Sequence, residues 1–242
     1  MNVVNKLHYI FFLLFLTVNV LFWMTSKDVQ RTWLNVPMAP SLAKVDLSFL
    51  GNRQLAYRSY ATMLQNIGSV DGKQISLKKY NYEHLKDWFL LEHELDHHSD
   101  VVPLLAAYYF GGISDKDKLV HVLDYLSIAG NSPEGEKWRW LGHAVYLARH
   151  QMDDNERALK LAYLLSENES PDLADWAKQM PAFILQDQGD SDLAYKIMLN
   201  ILISNVDTMH PNEIFFMKEY ICNTIIPTQT NVTPPSFCED IE

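Results

Sequence analysis

Apolar positions divide the chain into two unlike parts. From Tyr9 to Met24 the sequence is almost unbroken apolar, YIFFLLFLTVNVLFWM, and Lys6 and Lys27 flank it. The stretch between those lysines would extend about 30 Å as a helix, the thickness of a bilayer core. Thr17 and Asn19 are polar interruptions that an inserted helix tolerates. Tyr9 and Trp23 stand near the ends, where aromatic rings favour the interface. Met24-Thr25-Ser26 is a poor cleavage site. Residues 1–26 are therefore expected to form an uncleaved transmembrane anchor, in the membrane through residues 7–26. A cleaved leader and a buried core helix are the readings it displaces.

Beyond the anchor the pattern takes on a helical period. Residues 27–46 hold prolines and no sustained period, and read as a linker. Leu50, Leu55, Tyr57, Ala61, Leu64 and Ile67 mark one amphipathic run, stopped by Gly68. A loop to residue 81 precedes a helix over Tyr82–Leu95. Pro103 opens another that Gly111-Gly112 closes, and Ser114 or Asp115 caps a third that ends at Gly130. Further helices follow the 132–135 turn, Asp153-Asp154, Ser170-Pro171 (with proline at its favoured first position), Gly189-Asp190 and Pro211. The expectation is an all-α fold: helices over 47–226, then a Pro-rich tail over 227–242.

The helical part repeats itself. Trp140 and Trp176 are 36 residues apart, as are Asp154 and Asp190, Ala158 and Ala194, and Lys160 and Lys196. A period of this length holding two helices is the mark of helix-pair solenoids, in which each pair buries its face only against its neighbours.

On these residues the chain resembles the tetratricopeptide-repeat (TPR-like) superfamily, over about 82–204. WRWLGHAVY at 138–146 looks like the opening of a repeat's first helix, and ALKLAYLL and AYKIMLNIL look like second helices. WFLLEHELDHHSDVVPLLAAYYFGG is similar to membrane-tethered bacterial repeat proteins. There a Leu-Asp-Pro turn precedes an aromatic-rich helix. Here His97 follows Leu95-Asp96 in place of proline, and Pro181 sits inside a first helix. The resemblance implies a TPR-like solenoid behind one transmembrane helix. It also implies a concave face lined by first helices, including 103–110, 138–150 and 172–186, that binds a protein segment.

Composition narrows the picture. With 9 Gly in 242 residues, hairpin-rich folds are disfavoured. A net charge of −10 argues against nucleic acid as partner. Charges flanking the apolar run nearly balance, but the short N-terminal tail is that of a signal-anchor, which places the domain outside the cytoplasm, periplasmic in a bacterium. Cys222 and Cys238 agree with an oxidising compartment: a disulfide between them would close a loop of about 15 residues, worth roughly 3 kcal/mol.

The sharpest chemical motif is His93-Glu94-Leu95-Asp96-His97, an H-E-x-x-H. On one helix its histidines could hold zinc, with Glu94 as general base. Asp96 puts a charge before the second histidine, and no further ligand motif follows. A surface histidine cluster is the plainer reading. Trp138 and Trp140 point about 200° apart on a helix, so one should pack inside and the other approach a groove. Tyr108-Tyr109-Phe110 reads mainly as core. Candidate partner-binding residues are Trp138, Arg139, Tyr146 and Tyr109. No phosphate loop or nucleophile elbow occurs, so no cofactor is expected. Asn168-Glu-Ser170 and Asn231-Val-Thr233 fit glycosylation sequons.

The expected function is a membrane-anchored, non-catalytic scaffold or assembly factor that binds a protein partner in or near the same membrane. The alternatives are a zinc-dependent membrane-associated hydrolase on His93, Glu94 and His97, and an accessory structural subunit of a membrane complex.

Overall fold

The computed structural model describes residues 3–27, 35–70, 73–229 and 233–239. They form two compact units. The fold is all-helical apart from one hairpin, whose strands β1 (Ser69–Val70) and β2 (Lys73–Gln74) hold two residues each.

The first unit contains that hairpin and helix α1, Val3–Ser26. His8–Ser26 is apolar and long enough to cross a membrane, and none of it is buried within the protein. Its hydroxyls are satisfied inside the helix. Thr17 Oγ1 donates to the Leu13 carbonyl at 2.7 Å, and Ser26 Oγ donates to the Phe22 carbonyl at 2.6 Å. In hydrocarbon an unpaired hydroxyl would be costly, so this back-bonding suits a spanning helix.

The second unit holds Asn35–Ile67 and everything from Ser76 on. Its helices are α2 (Leu42–Ser48), α3 (Arg53–Gln65), α4 (Tyr82–Leu95), α5 (Val101–Leu104), α6 (Lys116–Gly130), α7 (Trp138–Tyr146), α8 (Asn155–Ser166), α9 (Asp175–Asp187), α10 (Ser191–Asn205) and α11 (Pro211–Tyr220). Helices close in sequence are packed partners: α3 on α4, α4 on α6, then α6 through α10 each on the next.

Two local devices recur. Helices α4, α6, α8 and α10 start alike: Asn81, Asp115, Asp154 and Asp190 each accept the N–H three residues on, at 3.1, 3.4, 2.9 and 3.2 Å. Each satisfies one of the donors that a helix start leaves open. Three of the remaining helices also end alike, α9 not among them. Past α5, α7 and α11 the backbone widens into π-helical turns at Leu105–Tyr109, Leu147–Gln151 and Ile221–Ile225. Residues 36 apart also share an environment: Ala158 and Ala194 are both fully buried.

Glycine matters most at Gly130. A Cβ there would lie 2.7 Å from that of Leu141 and collide with its backbone, so glycine lets α6 and α7 meet closely.

Several boundaries differ from expectation. The linker was expected to reach residue 46, yet Val36 is buried and α2 begins at Leu42. Trp88 Nε1 donates to the Pro37 carbonyl at 2.9 Å, so side chains far along the chain hold the proline segment in place. The run from Leu50 is broken by a turn, and α3 begins only at Arg53. Helix α9 starts at Asp175, not at Pro171, because residues 171–174 form a turn. Gly112 and Gly130 lack the left-handed backbone of a glycine cap, which Gly68 and Gly189 do adopt. The disulfide expected at the C-terminal tail is present, and the described tail residues pack on the fold. Gln229 Nε2 donates to the Ser191 carbonyl at 3.0 Å, and Phe237 packs on the core of Met198, Met209, Met217 and Ile221. Cys222 is bonded to Cys238, with Cα atoms 5.7 Å apart, so the bridge holds this end shut.

Candidate functional site

The strongest surface feature lies on α5, α7 and their π-helical turns. Tyr108 is 66% exposed and its ring lies 4.6 Å from that of His143. His143 in turn lies 5.8 Å from Tyr146, and Tyr146 lies 4.9 Å from His150. His143, Tyr146 and His150 recur at three- and four-residue steps and so share one side of their helix. Val101 and Leu104, each about half exposed, continue the same side of α5 below Tyr108.

The ladder leads on to α9 and α11. Arg149, one residue before His150, is ion-paired with Asp187 of α9. It also acts on Tyr220: burial raises that phenol's pKa and the Arg149 charge lowers it. Tyr220 stands edge-on to Phe183 at 5.0 Å, and Phe216 lies 6.1 Å from Phe183. Alternate helices thus offer a row of rings. Such a row presents apolar faces and a few polar atoms at low entropic cost, as peptide-binding surfaces do. Burial lowers the pKa of His143, and a hydrogen bond with the Ala107 backbone partly offsets that fall.

The four candidate residues separate. Tyr146 is on the ladder. Arg139 is exposed, ion-paired with Glu136 at 2.7 Å and 5.8 Å from the Trp138 ring. Tyr109 is half-buried, edge-on to Phe110 at 4.9 Å. Trp138 is a correction: it is only 4% exposed and packs edge-on against Trp176 at 5.5 Å, so it joins neighbouring helices. The outward-turned member of the pair is Trp140, whose Nε1 donates to Asp100 at 2.8 Å. Tyr108, His143 and His150 were missed. Histidine and tyrosine at helical spacing from 143 to 150 were a readable signal. Tyr108 was masked because it sits in the almost unbroken apolar stretch VVPLLAAYYF, which reads as core.

The H-E-x-x-H segment does not form its helical pair. Helix α4 ends at Leu95, and Asp96 is extended at φ −152° and ψ 90°. His97 therefore leaves the face of His93, which instead stands edge-on to Tyr125 at 6.5 Å. Burial lowers the pKa of His93, aided by His97 and Lys137. The donors that do converge are His97, His98 and Glu134, all exposed, with Glu134 3.7 Å from His97 and 3.1 Å from His98. These contacts suit a histidine–carboxylate ion pair on a solvated loop.

One buried group carried no sequence signal. Glu92 is fully buried in α4, and neither carboxylate oxygen has a hydrogen-bond partner. Burial, with Asp96 second, pushes its pKa up to about 8, so it is largely protonated at neutral pH.

The opposite side of the helices is different in kind. A groove of about 670 Å³ between α6 and α8 is lined by Asp124, Arg157, Lys160 and Glu167, among others. Part of its charge is paired within it: Arg157 meets Asp154 at 3.3 Å and Asp124 at 3.9 Å. The Asn168 sequon is used structurally. Its side chain is buried, donates to the Gly130 carbonyl at 3.2 Å and accepts from Ser170 N–H at 2.9 Å. Asn231 lies outside the described residues.

Comparison with protein-family models, curated proteins and solved structures finds no match to this chain.

Proposed function

We propose that this protein is a membrane-anchored, non-catalytic TPR-like scaffold whose ladder face binds a segment of a partner protein. Helix α1 is the anchor, and the second unit is a helix-pair stack on the outer side of the membrane. The observation that carries this reading is the run Tyr108–His143–Tyr146–His150, a line of neighbouring rings across α5, α7 and their π-helical turns, exposed at all but the half-buried His143. The 36-residue repeat and the shared caps of α4, α6, α8 and α10 support the stack. The Cys222–Cys238 bond supports an oxidising compartment. An extended peptide laid over the ladder would stack on its rings and hydrogen-bond to tyrosine hydroxyls and imidazole nitrogens.

The test is purification of the full-length protein from its native membrane under mild crosslinking. Wild type and a Lys160→Ala variant should retain the same partner, and a His143→Ala/Tyr146→Ala variant should lose it. Equal recovery by all three would refute the ladder as the binding face.

A further inference from the structure

The corner between α2 and α3 presents apolar side chains outward from a rigid frame. Met38 is 76% exposed, Leu47 79%, Leu50 93% and Leu55 52%. The frame beneath them is firmly held. Asn35 Oδ1 accepts from the Asn81 N–H at 2.7 Å, and His84 Nδ1 lies 2.8 Å from the Val36 carbonyl oxygen. Val45 is buried, and Phe49 stands edge-on to Tyr60, which stands edge-on to Trp88. Fraying does not account for the exposure of these leucines.

Leu50 is the sharpest case. Its φ is +52°, in the left-handed region, beside Gly51 at +77°. That conformation costs a leucine on the order of 1 kcal/mol and suits glycine or asparagine. At 93% exposure the side chain gains no packing in return within the protein. An apolar contact from outside the protein would offset that cost.

Charge indicates what makes that contact. Residues 35–67 carry Lys44, Arg53 and Arg58 against Asp46 alone, in a chain whose net charge is −10. Arg53 pairs with Asp46 at 3.3 Å, which leaves exposed Lys44 and Arg58 as the corner's excess cations. Apolar tips rimmed by cations fit an anionic lipid surface. Such a surface is also within covalent reach: Asn35 follows Lys27 by eight residues, a span of at most about 29 Å.

From these observations the geometry points to docking of the α2–α3 corner on the anionic headgroup layer of the membrane that holds α1. Met38, Leu47, Leu50 and Leu55 enter the interface, and Lys44 and Arg58 meet lipid phosphates. The inference rests on α1 being a membrane anchor.

The test uses the full-length protein in vesicles of phosphatidylcholine with phosphatidylglycerol. An environment-sensitive fluorophore is placed at Leu50→Cys, with Lys160→Cys as control; the native cysteines are bonded to each other. The label at 50 should shift to the blue and be quenched by nitroxide-bearing lipid, and the label at 160 should do neither. Lys44→Glu/Arg58→Glu should lower the docked population by roughly tenfold in these vesicles and little in pure phosphatidylcholine. Alkaline carbonate extraction separates the two claims. Release of the protein refutes the anchor and the docking together. Retention with a water-exposed label at 50 refutes the docking alone. A blue shift that nitroxide lipid does not quench would place a protein surface at the corner, and also refutes it.

Discussion

The two ends of the second unit solve one problem differently. A row of packed helices has two ends that no further helix covers. The C-terminal end is closed by its own chain: the tail returns, Phe237 joins a core with Met209, Met217, Ile221 and Ile225, and a disulfide holds it. The N-terminal end is stiffened by Val36, Val45 and Phe49 but left apolar outside, at Met38, Leu47, Leu50 and Leu55. One end is finished inside the fold, while the other leaves its apolar side chains exposed.

That contrast can be broken at either end. The largest effect is expected at the sealed one. Cys222→Ser/Cys238→Ser should lose about 3 kcal/mol, seen as a lower midpoint in denaturant. It should leave the exposure of a label at position 50 unchanged.

The next effect concerns Glu92, packed in α4 near the open end. Its pKa is about 8 when folded and 4.5 ordinarily, so between these values the folded chain holds a proton that the unfolded chain has released. Stability therefore falls as pH rises from about 4.5 to 8. Glu92→Gln removes the titration. It should be nearly neutral at pH 5 and stabilising at pH 8, read from melts at both pH values.

Smaller still is Leu50→Gly, which relieves the left-handed backbone. It should change stability by under about 1 kcal/mol in the favourable direction, while weakening the membrane contact. Smallest is Leu47→Ser, expected within about 0.5 kcal/mol of wild type in detergent, because the side chain packs on little. A large loss there would mean that the open end is part of the core after all.

What could be read in the sequence was local or periodic. Asn81, Asp115, Asp154 and Asp190 cap helices through their own next turn, so their meaning lies within four residues. The apolar period of α4 and α6 and the uniform run of α1 are likewise written in neighbouring residues. What could not be read depended on distant partners or unusual backbone. Val36 and Pro37 look like linker until Trp88 and His84 meet them. Glu92 looks like a solvated helix residue until α4 is packed. His93 and His97 look like a helical pair until the helix ends at Leu95. Tyr108 lies in the apolar stretch VVPLLAAYYF, so half of the ladder was hidden in a segment that reads as core. Its other half, His143, Tyr146 and His150, had the plain spacing of one helix face.

The central claim is that this ladder is where the partner lies. A photo-activated crosslinker placed singly at Tyr108, Tyr146 and Lys160 of the full-length protein, in its native membrane, tests it most directly. The account predicts one common adduct from positions 108 and 146, lost on His143→Ala, and none from 160. Adducts from 160 with none from 108 or 146 would contradict it.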